Sequence, residues 1–536
     1  MADFLFRTTA KTEMPSDLIK LQRSPREVAR WQKAQQYVVG ERHALALESY
    51  RDLVKRFPGV EQLWFELGLA AAGELEFQLA LDAFSRAEQL APKDSALQVL
   101  LGQQFHRLRR PDRARGCFER AVQADPSSVH ARLSLAAWQE RERRLDAAWE
   151  SVEACLGRHP QNTQALCVKA QLLHRRNRNP EAEVLLREVI QRGASDANVQ
   201  ISSRHLLGLV LDQLGQYGEA LRWLGESKNL LRQTANVARM EADYDRADRC
   251  RRQLLSALTP EILGRWRREA PATTLPNPLV LLGGHPRSGT TLLEQILGAH
   301  PALAAFDESE AFVQEVWHRV APMQATRPLT LEELDRLEVP QRARIRERYF
   351  KSLCREIEGE LCGKVLLDKN PSPTAVLHLW LRIFPELKVI IALRDPRDVV
   401  ISCYFQNLML TPTNANFLSL ERTVKHYGDL MDVWLRMREL GGFDWIESRY
   451  EDLVEDPEAE GGRLTGFCGL SWHVEQASHH EAARKKVLFA PTFSDVAQPV
   501  HKRAVGRWQH YAEALAPFQE RLGHYCQFFG YPTGKS

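Results

Sequence analysis

The chain's strongest anion-binding signal is "GGHPRSGTTLLEQ", Gly283 to Gln295. Gly284, Gly289, Thr290 and Thr291 keep the G-x-x-x-x-G-K-[ST] spacing of a phosphate loop, whose backbone N–H groups and following helix N-terminus cradle phosphate oxygens. Thr290 stands where such loops carry lysine, so a magnesium-bound triphosphate would lose its main electrostatic partner here. Arg287, inside the loop, offers instead a planar fork suited to two oxygens of one phosphate or sulfate. A second concentration, "RDPRDVVIS", sets Arg394 and Ser402 eight residues apart. Asp395 and Pro396 read as a helix start, which places Ser402 about two turns along at 1.5 Å per residue. Arginine and serine could then grip a second phosphate together. The competing readings are a ligand-free glycine turn for the first motif and, for the second, an Arg–Asp pair capping a helix with Ser402 as a small buried residue.

Both motifs need a rigid support. "LVLLGG" before the loop has the continuous apolar character of a buried parallel strand, and Leu292, Leu293, Ile296 and Leu297 give the following segment one apolar helical face. Val389 to Leu393 is a second buried strand, with Arg394 at its carboxyl end, where open parallel sheets bind ligands. An α/β domain with a parallel central sheet follows. Other groups have plain structural readings when taken alone. Glu308 suits a helix start, Lys369 before "NPSP" suits a surface turn, and His285 before Pro286 would order the loop. His479 and His480 read as a solvated helix face. There is no H-E-x-x-H and no histidine cluster with metal-ligand spacing, so no metal is expected.

The first half is periodic. Gly68, Ala80, Phe84, Ala87 and Pro92 recur 34 residues on as Gly102, Ala114, Phe118, Ala121 and Pro126. The register continues through Ala136, Ala148, Val152, Cys155 and Pro160, backwards through Ala34, Ala46, Tyr50, Leu53 and Pro58, and forwards through Ala170, Ala182, Leu186 and Val189. After a short insertion come Gly208, Ala220, Leu224 and Ser227. The pattern resembles the tetratricopeptide repeat, in about six copies. Small residues let two antiparallel helices approach, a bulky residue fills the groove between them, and proline ends the second helix. One copy cannot bury that face alone, so copies stack. Such a solenoid would recruit a protein or peptide in its groove, or serve as a scaffold or homodimer surface. "NVARMEADYDRADRCRRQLLSALTPEILGRWRREA" reads as charged helices capping the last repeat, and "PATTLPNP", Pro271 to Pro278, as a linker.

The 536 residues exceed one ordinary core. Hydrophobic residues at 44% and charged residues at 26% fit a soluble globular protein, and a net charge of +3, from 72 basic and 69 acidic residues, marks neither nucleic acid nor membrane as a partner. No long apolar window or signal-like N-terminus stands out, so a cytoplasmic location is expected. The nine cysteines, an odd number without a C-x-x-C pair, read as free thiols, with Cys403 set apart by its place beside the second motif.

Together the two motifs resemble the sulfotransferase family that uses 3′-phosphoadenosine 5′-phosphosulfate, PAPS, over roughly residues 278 to 530. The resemblance implies that Arg287, Ser288, Gly289, Thr290 and Thr291 surround the 5′ phosphosulfate and that Arg394 and Ser402 hold the 3′ phosphate. It implies that Tyr450, in "RYEDLVEDPE", lies near the adenine and that Arg507, in "KRAVGRWQHY", contacts phosphate from a closing loop. Within the family the likeness is closest to tyrosylprotein sulfotransferases and to bacterial proteins joining tetratricopeptide repeats to such a domain. "AHPALAAFDESEAF" then implies Glu308 as the catalytic base, with Glu310 the alternative, and "LLDKNP" implies that Lys369 steadies the transferring group. The expected architecture is an all-α solenoid followed by an α/β, phosphate-loop-like sulfotransferase domain. Its divisions are an N-terminal segment (1–26), the solenoid (27–234), capping helices and linker (235–277) and the transferase domain (278–536). The expected activity is PAPS-dependent sulfuryl transfer to a hydroxyl, with tyrosine of a recruited protein or peptide the leading acceptor. A carbohydrate, lipid or small-molecule acceptor, or a non-catalytic adaptor, are the alternatives.

Overall fold

Helix pairs of the repeat region pack a small residue against a bulky one. A Cβ on Gly68 would lie 2.4 Å from the Phe84 ring, and one on Gly102 2.7 Å from the Phe118 ring, so glycine sets how closely the paired helices approach. Ala46, Ala80, Ala114, Ala148, Ala182 and Ala220, one per copy, are fully buried. The computed structural model describes residues 16–40, 42–74, 76–194, 196–270, 277–321, 329–356, 361, 363–481 and 500–533. The chain divides into two compact units, Met1–Val189 and Ile190–Ser536.

In the first unit the copies appear as helix pairs, among them Glu61–Gly73 with Phe77–Leu90, Ser95–Arg107 with Pro111–Ala124, and Val129–Arg141 with Leu145–Leu156. A second periodic device emerges at the helix starts. Asp94, Ser128 and Asn162 each accept a backbone N–H from three residues ahead (Leu97, Ala131 and Ala165), satisfying a donor that the helix itself leaves unpaired.

The second unit begins with the last repeat pair, Ala197–Gln213 and Tyr217–Thr234, whose first helix is capped by Asp196, here accepting the N–H of Asn198, two residues ahead. Helices Val237–Ala257 and Pro260–Arg268 follow. The capping sequence does more than shield a repeat: Leu254, Leu255, Leu258, Leu263 and Trp266 join the same hydrophobic core as strand residues Leu279 and Leu281. Of the expected linker, 271–276 lie outside the described residues, and Asn277 is buried, donating to the Lys364 carbonyl at 2.8 Å.

Five parallel strands form one sheet: β1 (Leu279–Gly284), β2 (Leu303–Asp307), β3 (Val365–Lys369), β4 (Lys388–Leu393) and β5 (Asp444–Arg449), in the order β2-β3-β1-β4-β5. β1 is buried along its whole length, as its unbroken apolar run requires. After β3 the chain crosses to the other side of β1, so the connections change direction between the carboxyl ends of β1 and β4, the point at which open α/β sheets bind ligands. Among the described residues no helix is long and apolar enough to cross a membrane.

Candidate functional site

The site is assembled at the carboxyl edge of this sheet. Four strands deliver a site residue immediately beyond their last residue, and the fifth, β3, ends on Lys369 itself.

After β1 comes the loop. Gly284 N donates to the buried Thr374 hydroxyl at 2.8 Å, Ser288 N closes onto the His285 carbonyl at 3.1 Å, and Gly289 precedes the helix Thr290–Gly298. Gly289 sits at φ +91°, where a Cβ would strike the Tyr450 ring at 2.5 Å, so glycine is needed both for the turn and for the tyrosine beyond β5. Arg287 also lies in the left-handed region, at φ +74°, a costly conformation for a side-chain-bearing residue and one that clusters at ligand sites.

After β4 comes Arg394, mostly buried, with Nη1 donating to the Arg287 carbonyl at 3.3 Å and its guanidinium 4.9 Å from the Tyr450 ring centre. Arg287 Nε donates to the Ser402 hydroxyl at 3.1 Å. The two motifs therefore meet, and Arg287, Arg394, Ser402 and Tyr450 share one corner. The Arg–Asp helix cap of the competing reading exists as well, but Arg397 makes it: Asp395 accepts the Arg397 backbone N–H and both sides of its guanidinium fork, at 2.9, 2.9 and 2.6 Å. Arg394 is thereby left aimed at the loop. Its Nε is buried with no hydrogen-bond partner among the described residues, an orphan donor that a bound anion would satisfy.

β2 and β3 supply a charge cluster. Asp307 and Lys369 are register partners, and Lys369 Nζ, fully buried, lies 2.5 Å from Asp307 Oδ1 and 3.1 Å from Glu308 Oε1. Burial alone would lower the lysine pKa, but the two carboxylates outweigh it and hold the pKa above its ordinary value, so the ammonium stays charged. Glu308 takes φ +53°, its N–H donates to the Lys369 carbonyl at 2.8 Å, and its side chain is half exposed. Ser309 is buried; its hydroxyl donates to Glu356 and accepts the N–H of Ala311, where the next helical segment begins just after exposed Glu310. Lys369 thus differs from the surface lysine suggested by its local sequence.

Behind the loop lies a buried pair that local sequence does not disclose. His285 Nδ1 faces the Pro286 carbonyl at 2.7 Å and Nε2 faces His426 Nδ1 at 2.9 Å. A carbonyl only accepts, so His285 carries its proton on Nδ1, and His426 must donate from its own Nδ1. Burial lowers His285 to about 4 and, with the neighbouring charges, takes His426 well below its usual value, so both rings are neutral and fix the loop carbonyl. Cys403, with Sγ 3.6 Å from the Pro286 carbonyl, is pushed up to about 12 by burial and packs as a thiol.

Two expectations are placed differently. Arg507 Nη2 donates to Asp212 at 2.8 Å, and its guanidinium lies 4.2 Å from the Phe405 ring centre; the structure brings it to the last repeat rather than to Arg394 and the loop. What the closing segment brings to Arg394 is the Ala504 carbonyl, while the Gly506 and Trp508 N–H groups bind Asp398 at 2.8 and 2.7 Å. His479 is buried, facing the Gln476 carbonyl at 3.1 Å, and so does not lie on a solvated face; most of "EAARKK" beyond it falls outside the described residues.

Residues 278–474 match the sulfotransferase family model, and residues 32–95 and 99–154 match a tetratricopeptide-repeat model. The chain is a tetratricopeptide-repeat protein with a C-terminal sulfotransferase-family domain. An uncharacterized Aquifex aeolicus protein is 24% identical over 64% of this chain and 46% of its own length. Protein-tyrosine sulfotransferase A of Caenorhabditis elegans is 24% identical over 46% of this chain and 67% of its own. Human heparan sulfate glucosamine 3-O-sulfotransferase 6 is 26% identical over 36% of this chain and 52% of its own.

Proposed function

We propose that the second unit transfers a sulfuryl group from PAPS to the hydroxyl of a tyrosine in a protein or peptide that the repeats recruit. The observation that carries this reading is the pairing of two charged groups at one sheet edge: the Arg287–Ser402–Arg394 corner beside the loop after β1, and Lys369, on the neighbouring strand β3, held by Asp307 and Glu308. The corner suits a nucleotide bearing two separate phosphate-like groups, and the missing loop lysine suits a donor without a triphosphate. Buried Arg394 Nε fits the same ligand.

In this reading the acceptor oxygen forms a bond to sulfur as the bond from sulfur to the bridging 5′-phosphate oxygen breaks, and the leaving oxygen keeps the electron pair. Arg287 and the loop N–H groups stabilise charge growing on that oxygen, and Lys369 stabilises the sulfuryl oxygens. Glu308 takes the acceptor proton. A phenol of pKa about 10 yields it to a carboxylate only as the new bond forms. In this reading Tyr450, over Arg394 and against Gly289, takes the adenine side.

The heparan sulfate relative favours a second reading with the same donor groups and a carbohydrate hydroxyl as acceptor. The donor is tested by heating the full chain with ligands: adenosine 3′,5′-bisphosphate raises the melting temperature and ATP with magnesium does not. The reverse order overturns the reading.

A further inference from the structure

The segment 500–511 lies against the donor corner on one side and against the last repeat on the other. On the near side, Asp398 accepts the N–H groups of Gly506 and Trp508, and Ala504 accepts from Arg394. On the far side, Asp212, at the end of the repeat helix Ala197–Gln213, accepts from Arg507 Nη2 at 2.8 Å through one oxygen and from the Tyr511 hydroxyl through the other. The Asp212 side chain is only 7% exposed. Tyr217, opening the second helix of the same repeat, stacks on His510 at 4.1 Å with the rings 15° apart. Arg507 also covers Phe405, three residues past Ser402.

We propose that Asp212 is a positioning residue of the donor site. By holding Arg507 and Tyr511 it fixes the far edge of the segment, so that the backbone groups of Ala504, Gly506 and Trp508 stay on Arg394 and Asp398. Without that carboxylate, two donors lose their shared acceptor, and partly buried Arg507 loses the charge that holds it. The segment loosens, and the grip of Arg394 on a phosphate loosens with it. The last repeat is thus part of the nucleotide pocket's support as well as of the solenoid. This inference rests on the donor reading above.

The test uses the full chain, with adenosine 3′,5′-bisphosphate titrated calorimetrically and hydrogen exchange followed over 500–511 in the free protein. Asp212→Ala weakens the bisphosphate about tenfold and speeds exchange of the segment. Asp212→Asn keeps an acceptor for Tyr511 but loses the charge facing Arg507, and falls between. Ser227→Ala, which removes a hydrogen bond to the Ile201 carbonyl inside the same helix pair, leaves the affinity near the parent's. Parental affinity and protection in Asp212→Ala, or in Asp212→Asn should the alanine variant not fold, overturn the proposal. Equal weakening by Ser227→Ala overturns it too. A parent that binds no bisphosphate overturns the donor reading and this inference together, whereas a parent that binds and an Asp212 variant that binds equally overturn this inference alone.

Discussion

Lys369 and Glu308 are joined twice: the lysine ammonium lies 3.1 Å from the glutamate carboxylate, and the glutamate N–H donates to the lysine carbonyl at 2.8 Å. The backbone bond holds Glu308 at φ +53°, a strained setting that keeps its half-exposed carboxylate beside the one fully buried ammonium of the cluster.

Lys369→Met removes the charge while keeping most of the apolar stem, and takes from largely buried Asp307 the ammonium 2.5 Å from its carboxylate. It should cost about 3 kcal/mol of stability by urea unfolding. Adding Asp307→Asn should recover much of that stability but none of the transfer activity. Recovery of both would make Lys369 a purely structural group.

The His285–His426 pair predicts a chemically specific rescue. His426→Phe leaves the buried Nε2 acceptor of His285 unmet and loosens the ring whose Nδ1–H holds the Pro286 carbonyl, weakening adenosine 3′,5′-bisphosphate about tenfold. His426→Asn, whose amide N–H can stand in for the imidazole Nδ1–H, should restore most of the affinity. Equal loss in both variants would reduce His426 to a packing role.

Asp368 on β3 gives a stability signature in pH. It is fully buried, accepts the Tyr349 hydroxyl at 2.7 Å, and is pushed up to about 7, mainly by burial. A carboxyl raised in the folded state binds more protons folded than unfolded across the window from its ordinary value near 4 to about 7. Stability therefore falls as pH rises through that window. Asp368→Asn still accepts from Tyr349 but has no charge to bury, so it should melt higher than the parent at pH 8, with the gap closing toward pH 5. A gap independent of pH would contradict the assignment.

Much of the candidate site was legible in the sequence because Arg287, Glu308, Lys369, Arg394 and Tyr450 all lie within a few residues of a strand end, where a local motif can register them. The repeat was legible for a similar reason: a fixed period marks Ala80, Ala114 and Ala148, and the helix-capping Asp94, Ser128 and Asn162 follow the same period, although their role shows only in their hydrogen bonds. The supporting contacts were not legible. His426 lies 141 residues from His285, and Asp212 lies 295 residues from Arg507. Partners so far apart leave no local period and no motif. The assignment of Arg507 to a phosphate came from its neighbours in sequence, and the partner it has in the fold belongs to a repeat. The competing surface reading of Lys369 fails for the converse reason: "NPSP" signals a turn, but the register with Asp307 that buries the lysine is a tertiary fact.

The central claim is tested most directly by incubating the full chain with radiolabelled PAPS and either a tyrosine-containing peptide or a heparan oligosaccharide. The parent should label the tyrosine peptide, and Glu308→Gln, while still binding adenosine 3′,5′-bisphosphate, should label it at least about a hundredfold more slowly. Labelling of the oligosaccharide alone would replace the acceptor, and parental labelling by Glu308→Gln would contradict its assignment as the base. No label on either acceptor from a protein that binds the bisphosphate would contradict the transfer itself.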